Sequence, residues 1–251
     1  MSVIIAINNI TMKFGELLAN EDVSFNIDEK EIVGLIGPNG AGKTTLFNCI
    51  TGFYAPFSGK IEYLDSAGKK TDITGKSSDA ICKMGITRTF QIVKTLNDMT
   101  VEQNVMTGAF LHTNRTVIAR EEASKVLAMT GLSNKKNELG RNLTIVDRKR
   151  VEIARALATK PRVLMLDECM AGLNQTEVKD VMNLVVELRD QGLTLLIVEH
   201  IMEAIMPISD KIVVLNAGKK IAEGKPQEVA ENEEVIKAYL GEKYHAKTQK
   251  H

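Results

Sequence analysis

Short apolar or alternating stretches characterise the first quarter of the chain. Alternation of apolar and polar residues, or a brief apolar run, predicts strands at residues 3–12, 22–27, 31–36 and 58–64. A turn-rich segment, residues 65–70, follows the last of these strands. We therefore expect an antiparallel sheet in the N-terminal part.

Helical periodicity begins after residue 91. Thr100-Val101-Glu102-Gln103 has the sequence of a capping box, which predicts the start of a helix. Residues 115–131 have helical spacing and end in a glycine, and a third helix is predicted at 147–159, before Pro161. These three helices predict a helical insert at about residues 92–158.

Strands and helices alternate from residue 163 onward. Strands are predicted at 163–166, 194–198 and 211–215, and helices at 175–191 and 201–206. Such alternation is typical of a parallel sheet with crossover helices. We predict an α/β fold with a parallel core sheet, an N-terminal antiparallel β subdomain and the helical insert. One domain would span residues 1–251 and end in a short polar tail at 243–251.

The composition restricts the possible partners of the chain. It has 251 residues, of which 44% are hydrophobic, and 32 Lys and Arg balance 32 Asp and Glu. This balance gives no reason to expect a nucleic-acid partner. No apolar run has the length of a membrane span, and the N-terminal residues lack the pattern of a signal peptide. The three cysteines, Cys49, Cys82 and Cys169, show no metal-ligand spacing and cannot all pair in disulfides. This favours a reducing cytosol.

A glycine-rich segment at residues 37–44 carries the strongest functional signal. It follows the predicted strand 31–36 and precedes a predicted helix at 45–51, the context that a phosphate-binding loop requires. Glycines let main-chain N–H groups point at phosphate oxygens, and the helix N-terminus adds positive potential. Lys43 is expected to reach the β- and γ-phosphates, and the Thr44 hydroxyl to bind Mg²⁺. The residues predicted to contact nucleotide here are Gly37, Pro38, Asn39, Gly40, Ala41, Gly42, Lys43, Thr44 and Thr45.

Polar residues at the ends of two later strands complete a plausible hydrolytic site. The apolar strand at 163–166 runs into Asp167 and Glu168, where an open α/β sheet binds its ligand. Asp167 suits Mg²⁺, and Glu168 would orient and deprotonate the attacking water. His200 follows the next predicted strand and would hydrogen-bond the γ-phosphate.

Two further residues have a functional and an ordinary interpretation. Gln91 lies between the sheet region and the helical insert, where it would contact Mg²⁺ in one state and withdraw in another, or be simply solvated. Phe14 precedes a glycine near the N-terminus, and it would either stack on adenine or pack in the core.

In this order and spacing, these segments resemble the nucleotide-binding subunit of ATP-binding-cassette transporters over nearly the whole chain. The matching motifs are the Walker A loop at 37–44, the Q-loop glutamine Gln91, the Walker B strand at 164–168, the D-loop at 171–174, the switch histidine His200 and the adenine-stacking aromatic Phe14. The resemblance implies ATP hydrolysis with Mg²⁺, in which Lys43, Glu168 and His200 are catalytic and Thr44, Gln91 and Asp167 hold the metal.

The segments at 87–91, 171–174 and 238–241 look most like importer ATPases for branched-chain amino acids, of the G type, and for urea or amides. Lipopolysaccharide-export ATPases are the nearest competing subfamily. The resemblance implies permease partners, a second ATPase subunit and a position at the cytoplasmic face of the inner membrane. A small-molecule kinase and a weakly hydrolysing regulatory ATP-binding module are the alternatives outside transport. The transported substrate is not encoded in these motifs.

One family motif is altered. The family's Leu-Ser-Gly-Gly-Gln signature falls on Leu143-Thr144-Ile145-Val146-Asp147, here called the signature segment. In the family this segment binds the γ-phosphate held by the partner subunit. Two β-branched residues obstruct close approach to phosphate, and we expect Asp147 to place a carboxylate where the partner's phosphate belongs. Thr144 and Asp147 also have the spacing of a capping box. We therefore expect a heterodimer with one competent site rather than a homodimer.

Overall fold

The computed structural model describes residues 2–65, 67–89 and 95–239. Within these ranges the strands form two sheets, one with four strands and one with six. The strands are β1 (Val3–Phe14), β2 (Leu17–Asp28), β3 (Ile32–Ile36), β4 (Ser58–Leu64), β5 (Lys70–Asp72), β6 (Ile86–Arg88), β7 (Val163–Asp167), β8 (Thr194–Val198), β9 (Lys211–Asn216) and β10 (Lys219–Gly224).

The α-helices of the described residues join or cover these sheets. They are α1 (Lys43–Ile50), α2 (Ser78–Lys83), α3 (Val101–Ala109), α4 (Thr116–Met129), α5 (Ile145–Leu157), α6 (Gln175–Asp190), α7 (Met202–Ile208) and α8 (Pro226–Ala230), followed by a further helical segment at residues 233–239. None of them is long and apolar enough to cross a lipid bilayer.

The smaller sheet is antiparallel and has the strand order β2-β1-β4-β5. This confirms the antiparallel N-terminal sheet, but the prediction placed the strand at 31–36 among its members. That strand, β3, instead pairs in parallel with β8 and β9 in the larger sheet. Its five residues are all buried, as expected for a strand covered on both faces.

The larger sheet has the strand order β10-β9-β3-β8-β7-β6 and is parallel except for β10, which pairs antiparallel with β9. The α/β fold with a parallel core sheet is therefore confirmed. Because β3, β7 and β8 run in the same direction, their carboxyl ends lie at one edge of the sheet. The phosphate loop follows β3, Glu168 follows β7, and His200 lies just beyond β8.

Side chains of β7 alternate between two hydrophobic cores on opposite faces of the larger sheet. Leu164 and Leu166 pack into the core shared with α3, α5 and α6. Val163 and Met165 pack into the core shared with α1 and the antiparallel sheet. Burial on both faces fixes the register of β7, and it thereby fixes which residues emerge at the ligand edge.

Helices α3, α4 and α5 pack together between β6 and β7 in the chain. The predicted capping box is present, with Thr100 and Gln103 each accepting from the other's backbone N–H. The helix predicted at 147–159 begins two residues earlier, at Ile145, because the Thr144 hydroxyl accepts a hydrogen bond from the Asp147 N–H.

Candidate nucleotide-binding site

The loop between β3 and α1 requires glycine at two positions because neighbouring backbone lies very close. A Cβ at Gly37 would lie 2.1 Å from the carbonyl oxygen of Leu215, and one at Gly42 would lie 2.3 Å from that of Ala19. Gly42 has φ of 95° and is the N-cap of α1. The close packing curls the loop so that its chain returns directly into the first turn of α1.

The Lys43 ammonium group lies inside this loop. Its Nζ donates to the carbonyl oxygens of Gly37 at 2.6 Å and Pro38 at 2.8 Å, and the residue is only 7% exposed. Gly37 and Pro38 are buried and contribute these carbonyl groups from beneath the loop. The cation is therefore held where an anionic ligand of the loop would meet it.

A cleft of about 400 Å³ runs past the loop and brings most of the predicted residues together. The predicted residues that line it are Phe14, Asn39, Gly40, Ala41, Gly42, Lys43, Thr44, Thr45 and Glu168. The volume and the mixture of an aromatic ring, a cation and main-chain groups are appropriate for a nucleotide.

Phe14 lies at one end of this cleft and is 44% exposed, so it is not a core residue. Its ring packs edge-on against Tyr54, with centroids 5.3 Å apart. One face of an aromatic ring held by its edge contacts is suited to stacking on a base. Contact between Phe14 and adenine stays a prediction.

Asp167 lies at the end of β7 and is only 2% exposed. Among the described residues, neither of its carboxylate oxygens accepts a hydrogen bond, although Nη2 of Arg88 lies 3.5 Å from Oδ2. Burial raises the pKa of the Asp167 carboxyl to about 6, and the Arg88 guanidinium acts in the opposite direction. Two buried acceptors without hydrogen-bond donors fit a site for a hard cation such as Mg²⁺.

Among the described residues, no cluster of three or more His, Cys, Asp or Glu side chains is arranged to hold a metal ion. Mg²⁺ often takes only one or two protein oxygens and completes its shell with phosphate and water. Thr44, which lines the cleft, and Asp167 fit that description. Gln91, the third predicted ligand, lies outside the described residues.

Glu168 begins the loop that follows β7 and has an unusual backbone conformation, with φ of 48°. Its N–H donates to the carbonyl oxygen of Val198 on β8 at 2.9 Å, which ties the loop to the neighbouring strand. Glu168 lines the cleft that also contains Lys43 and Thr44. A carboxylate at this position can accept a proton from water bound at the end of the phosphate loop.

His200 follows β8, and its Nδ1 lies 4.0 Å from Oε1 of Glu168. The side chain is about half exposed and does not line the cleft itself. The neighbouring Glu199 is fully buried, and its Oε1 accepts from the Met170 N–H at 2.7 Å. Glu199 thus joins β8 to the loop after β7. Its position in the sequence, just after a predicted strand, did not indicate this role.

Asp147, the last residue of the signature segment, is bound within its own chain. Its Oδ2 accepts hydrogen bonds from the Thr144 hydroxyl and from Lys135 Nζ, both at 2.5 Å, and the side chain is 10% exposed. Burial would raise the pKa of this carboxyl, but these hydrogen bonds outweigh it and lower the pKa. The carboxylate is thus held by Thr144 and Lys135 of its own chain, and its position relative to a partner's phosphate stays a prediction.

Only half of the predicted capping box forms at Thr144. The Asp147 N–H donates to Thr144 Oγ1 at 3.2 Å, whereas the Asp147 carboxylate binds the hydroxyl of Thr144. Ile145 occupies the first helical position and is 65% exposed. A large aliphatic side chain therefore stands at the N-terminus of α5, where the family has a small residue.

Two buried cations near the site were not identified from the sequence. Arg88 on β6 donates from Nη1 to Asn48 Oδ1 at 2.5 Å and to Thr51 Oγ1 at 3.1 Å, beside its ion pair with Asp167. Lys149 on α5 donates to main-chain carbonyl groups of the loop after β7. Basic residues are usually solvated, and no sequence pattern marked these two as buried.

Comparison with known proteins finds two family models that match parts of this chain. A family model described as ABC transporter matches residues 20–171, and a second, described as branched-chain amino acid ATP-binding cassette transporter, matches residues 219–245. Both ranges correspond to features of the fold described above, the first from β2 to the loop after β7 and the second from β10 onward.

Curated relatives match over nearly the full chain. The high-affinity branched-chain amino acid transport ATP-binding protein LivG of Salmonella typhimurium is 43% identical, over 95% of this chain and 98% of its own. BraF of Pseudomonas aeruginosa, with the same description, is 40% identical over the same shares. A crystal structure of the ADP conformation of an ABC transporter cassette superposes with a TM-score of 0.86 at 32% identity, covering 96% of this chain and 100% of that one.

Proposed function

This chain belongs to the ABC transporter family as one of its ATP-hydrolysing subunits, and we propose that it drives an importer of branched-chain amino acids. The match at residues 219–245 to the branched-chain amino acid cassette model carries this proposal. LivG and BraF, which support it, share that transport description. These findings do not favour the urea, amide, lipopolysaccharide-export, kinase or regulatory alternatives.

The chemistry that we propose relies on positioning and on charge stabilisation. Lys43 and the main-chain N–H groups of the loop hold the β- and γ-phosphates of ATP. Glu168 accepts the proton of the attacking water, and His200 hydrogen-bonds the γ-phosphate beside it. Phe14 stacks on the adenine ring.

Mg²⁺ would be held by Thr44, Asp167 and Gln91, and when bound it neutralises charge that develops on the phosphate oxygens. The support for Asp167 is its pair of buried carboxylate oxygens without hydrogen-bond donors among the described residues. Thr44 supports the same placement because it lies on the cleft wall.

We propose that the chain pairs with a different ATPase subunit. Its own phosphate loop would work against the partner's signature, whereas its own signature segment would serve the partner's nucleotide poorly. The exposed Ile145 and the ion pair between Asp147 and Lys135 support this asymmetry. They replace the small residues and neutral amide that would let phosphate approach the helix N-terminus closely.

The permease contact is proposed at a largely apolar groove of about 510 Å³ between the core and the helical insert. Its lining includes Phe53, Cys82, Ile86, Thr107, Gly108 and Ala156. A groove between two structural units suits a short permease segment, and it would transmit the opening and closing of the ATPase dimer. This arrangement would place the chain at the cytoplasmic face of the inner membrane.

Purification of the native membrane complex tests these proposals. The expected result is a complex that contains this chain, a second ATPase and permease subunits, and that takes up a branched-chain amino acid in vesicles. The complex should hydrolyse ATP much faster than the chain alone. Brisk turnover by the chain alone would contradict the heterodimer, and uptake of a different solute class would contradict the substrate.

Lys43→Ala tests the nucleotide site itself. Removing the ammonium group should lower ATP affinity and abolish turnover, since no other cation in the cleft lining can replace it among the described residues. Unchanged nucleotide affinity, measured with a fluorescent ATP analogue, would refute the assignment of the loop.

A further inference from the structure

Lys149 lies in the first turns of α5, two residues after the signature segment, and it is 8% exposed. Its Nζ donates to three carbonyl oxygens of the loop after β7: those of Glu168 at 3.1 Å, Cys169 at 3.1 Å and Ala171 at 2.7 Å. An ammonium group has three N–H donors, so the loop accounts for all of them. The buried charge is thus stabilised by main-chain dipoles of this loop and by the nearby carboxylate of Glu199.

The Glu168 peptide is held from both sides. Its N–H is bound to β8 through the carbonyl oxygen of Val198 at 2.9 Å, and its carbonyl group is bound by Lys149. Glu168 has φ of 48°, a region in which a residue with a long side chain is strained. Such a conformation persists only where the surroundings fix it, and the direction of the Glu168 side chain depends on it.

We propose that Lys149 is a positioning residue, which holds the loop after β7 so that the Glu168 carboxylate faces the phosphate loop. The proposal rests on the proposed function, because it assigns Lys149 to the same ATP-hydrolysing site. Lys149 does not touch nucleotide; it acts through the main chain of Glu168.

Lys149 follows a residue of α5 whose side chain binds the signature segment. The preceding residue, Arg148, donates from Nε to the Leu143 carbonyl at 3.1 Å and from Nη2 to the Arg141 carbonyl at 3.0 Å. Two consecutive side chains thus bind the signature segment on one side and the catalytic loop on the other.

The test uses the full chain assembled with its partner ATPase and permease. Lys149→Met keeps the length of the side chain and removes the three donors. We expect kcat to fall about 10- to 100-fold, as for a misplaced catalytic group, while the Kd for ATP changes less than about 3-fold. Arg150→Met is the matched control, since Arg150 lies next in α5 and pairs with Asp180 at 3.1 Å away from this loop. It should leave kcat unchanged.

A double-substitution experiment separates positioning from general disruption. Single-turnover hydrolysis of radiolabelled ATP resolves rates that are too slow for steady-state assays. If Lys149 acts through Glu168, Lys149→Met should slow the parent strongly but should slow Glu168→Gln little further. Equal slowing in both backgrounds, or parent-like kcat for Lys149→Met, would overturn the positioning role.

Two further outcomes distinguish a failure of the Lys149 proposal from a failure of the proposed function. If Glu168→Gln itself hydrolyses ATP like the parent, the catalytic assignment in the proposed function is wrong. If Lys149→Met does not fold, as judged by thermal unfolding, Lys149→Gln replaces it in the same experiment. The glutamine keeps two N–H donors, so its kcat should lie between those of the parent and a loss of 10- to 100-fold, with the same non-additivity. Additive slowing by Lys149→Gln would also overturn the proposal.

Discussion

Arg88 and Asp167 form a buried ion pair at the edge of the parallel sheet, with Nη2 and Oδ2 3.5 Å apart and side chains 12% and 1% exposed. The Arg88 guanidinium also lies over the Phe47 ring, 4.6 Å from its centroid. The pair joins β6, which directly precedes the Q-loop region, to β7, which ends at the predicted metal ligand. A cation that is mostly buried thus offsets the charge of Asp167.

Arg88→Met should destabilise the fold. Removing one partner of a buried ion pair leaves the other charge without compensation, so the free energy of unfolding should fall by about 3 kcal/mol. Urea denaturation without nucleotide measures it. Arg141→Met is the control, because its pair with Asp98 has side chains 59% and 86% exposed and should contribute little. If Arg88→Met and Arg141→Met lowered the free energy of unfolding equally, burial would not determine how much an ion pair contributes to stability.

Asp167 should make stability depend on pH. Its pKa is raised from 3.8 to about 6, so the folded protein holds this proton more tightly than the unfolded chain. Its contribution therefore favours folding at low pH and is lost as pH rises from about 4 to about 6. Ionisation of the buried carboxyl in the folded state costs on the order of 3 kcal/mol at neutral pH.

The variant Asp167→Asn removes this titration. Without Mg²⁺ or nucleotide, the stability of the parent relative to this variant should fall as pH rises from 4.5 to 7.5, because only the parent must ionise the buried carboxyl. Urea unfolding at the two pH values measures the effect. A stability difference between the two proteins that does not change between the two pH values would contradict the raised pKa of Asp167.

Glu168→Gln should separate binding from hydrolysis. The amide keeps the size and polarity of the side chain but does not accept a proton, so turnover should fall about 10²- to 10⁴-fold with little change in ATP affinity. Glu187→Gln, a change of the same kind at an exposed residue of α6, is the control. Steady-state hydrolysis and equilibrium ATP binding are both needed. Unchanged hydrolysis would assign the general base to another group.

Rebuilding the signature tests the asymmetry between the two nucleotide sites. The combination of Ile145→Gly, Val146→Gly and Asp147→Gln restores small residues and a neutral amide at the N-terminus of α5. ATPase activity of the chain alone should rise about 10-fold or more, since main-chain donors regain access to phosphate. The same changes should lower stability, because glycine disfavours helix and the bond to Lys135 is lost. No gain in activity in folded protein would show that the segment does not limit the chain alone.

The sequence predicted an element with correct bounds where a continuous apolar run marked it. The run at β8 is apolar throughout, and its predicted bounds match the observed Thr194–Val198. Prediction was weaker where pairing decides the structure. β5 and β10 are short, largely polar edge strands, and each is held by hydrogen bonds to the strand that precedes it in the chain, β4 or β9. The sequence did not show that β3 is a central strand of the parallel sheet, because its partners β8 and β9 lie far along the chain.

For the site, the local motifs predicted which residues gather around the cleft, but not the charges that surround them. Lys135 is twelve residues from Asp147, and no local pattern indicated that its ammonium would bind this carboxylate. Arg88 and Lys149 likewise become buried through contacts between elements far apart in the chain. Motifs record spacing along the backbone, whereas electrostatic compensation depends on tertiary packing.

The two carbonyl groups that hold the Lys43 ammonium have a kinetic consequence. The contacts that curl the loop come from the chain itself, so they do not require a ligand to form. Nucleotide capture then includes an exchange of hydrogen-bond partners at this cation. Such pre-organisation lowers the entropic penalty of binding, and the rate of association is set by diffusion into the cleft rather than by refolding of the loop.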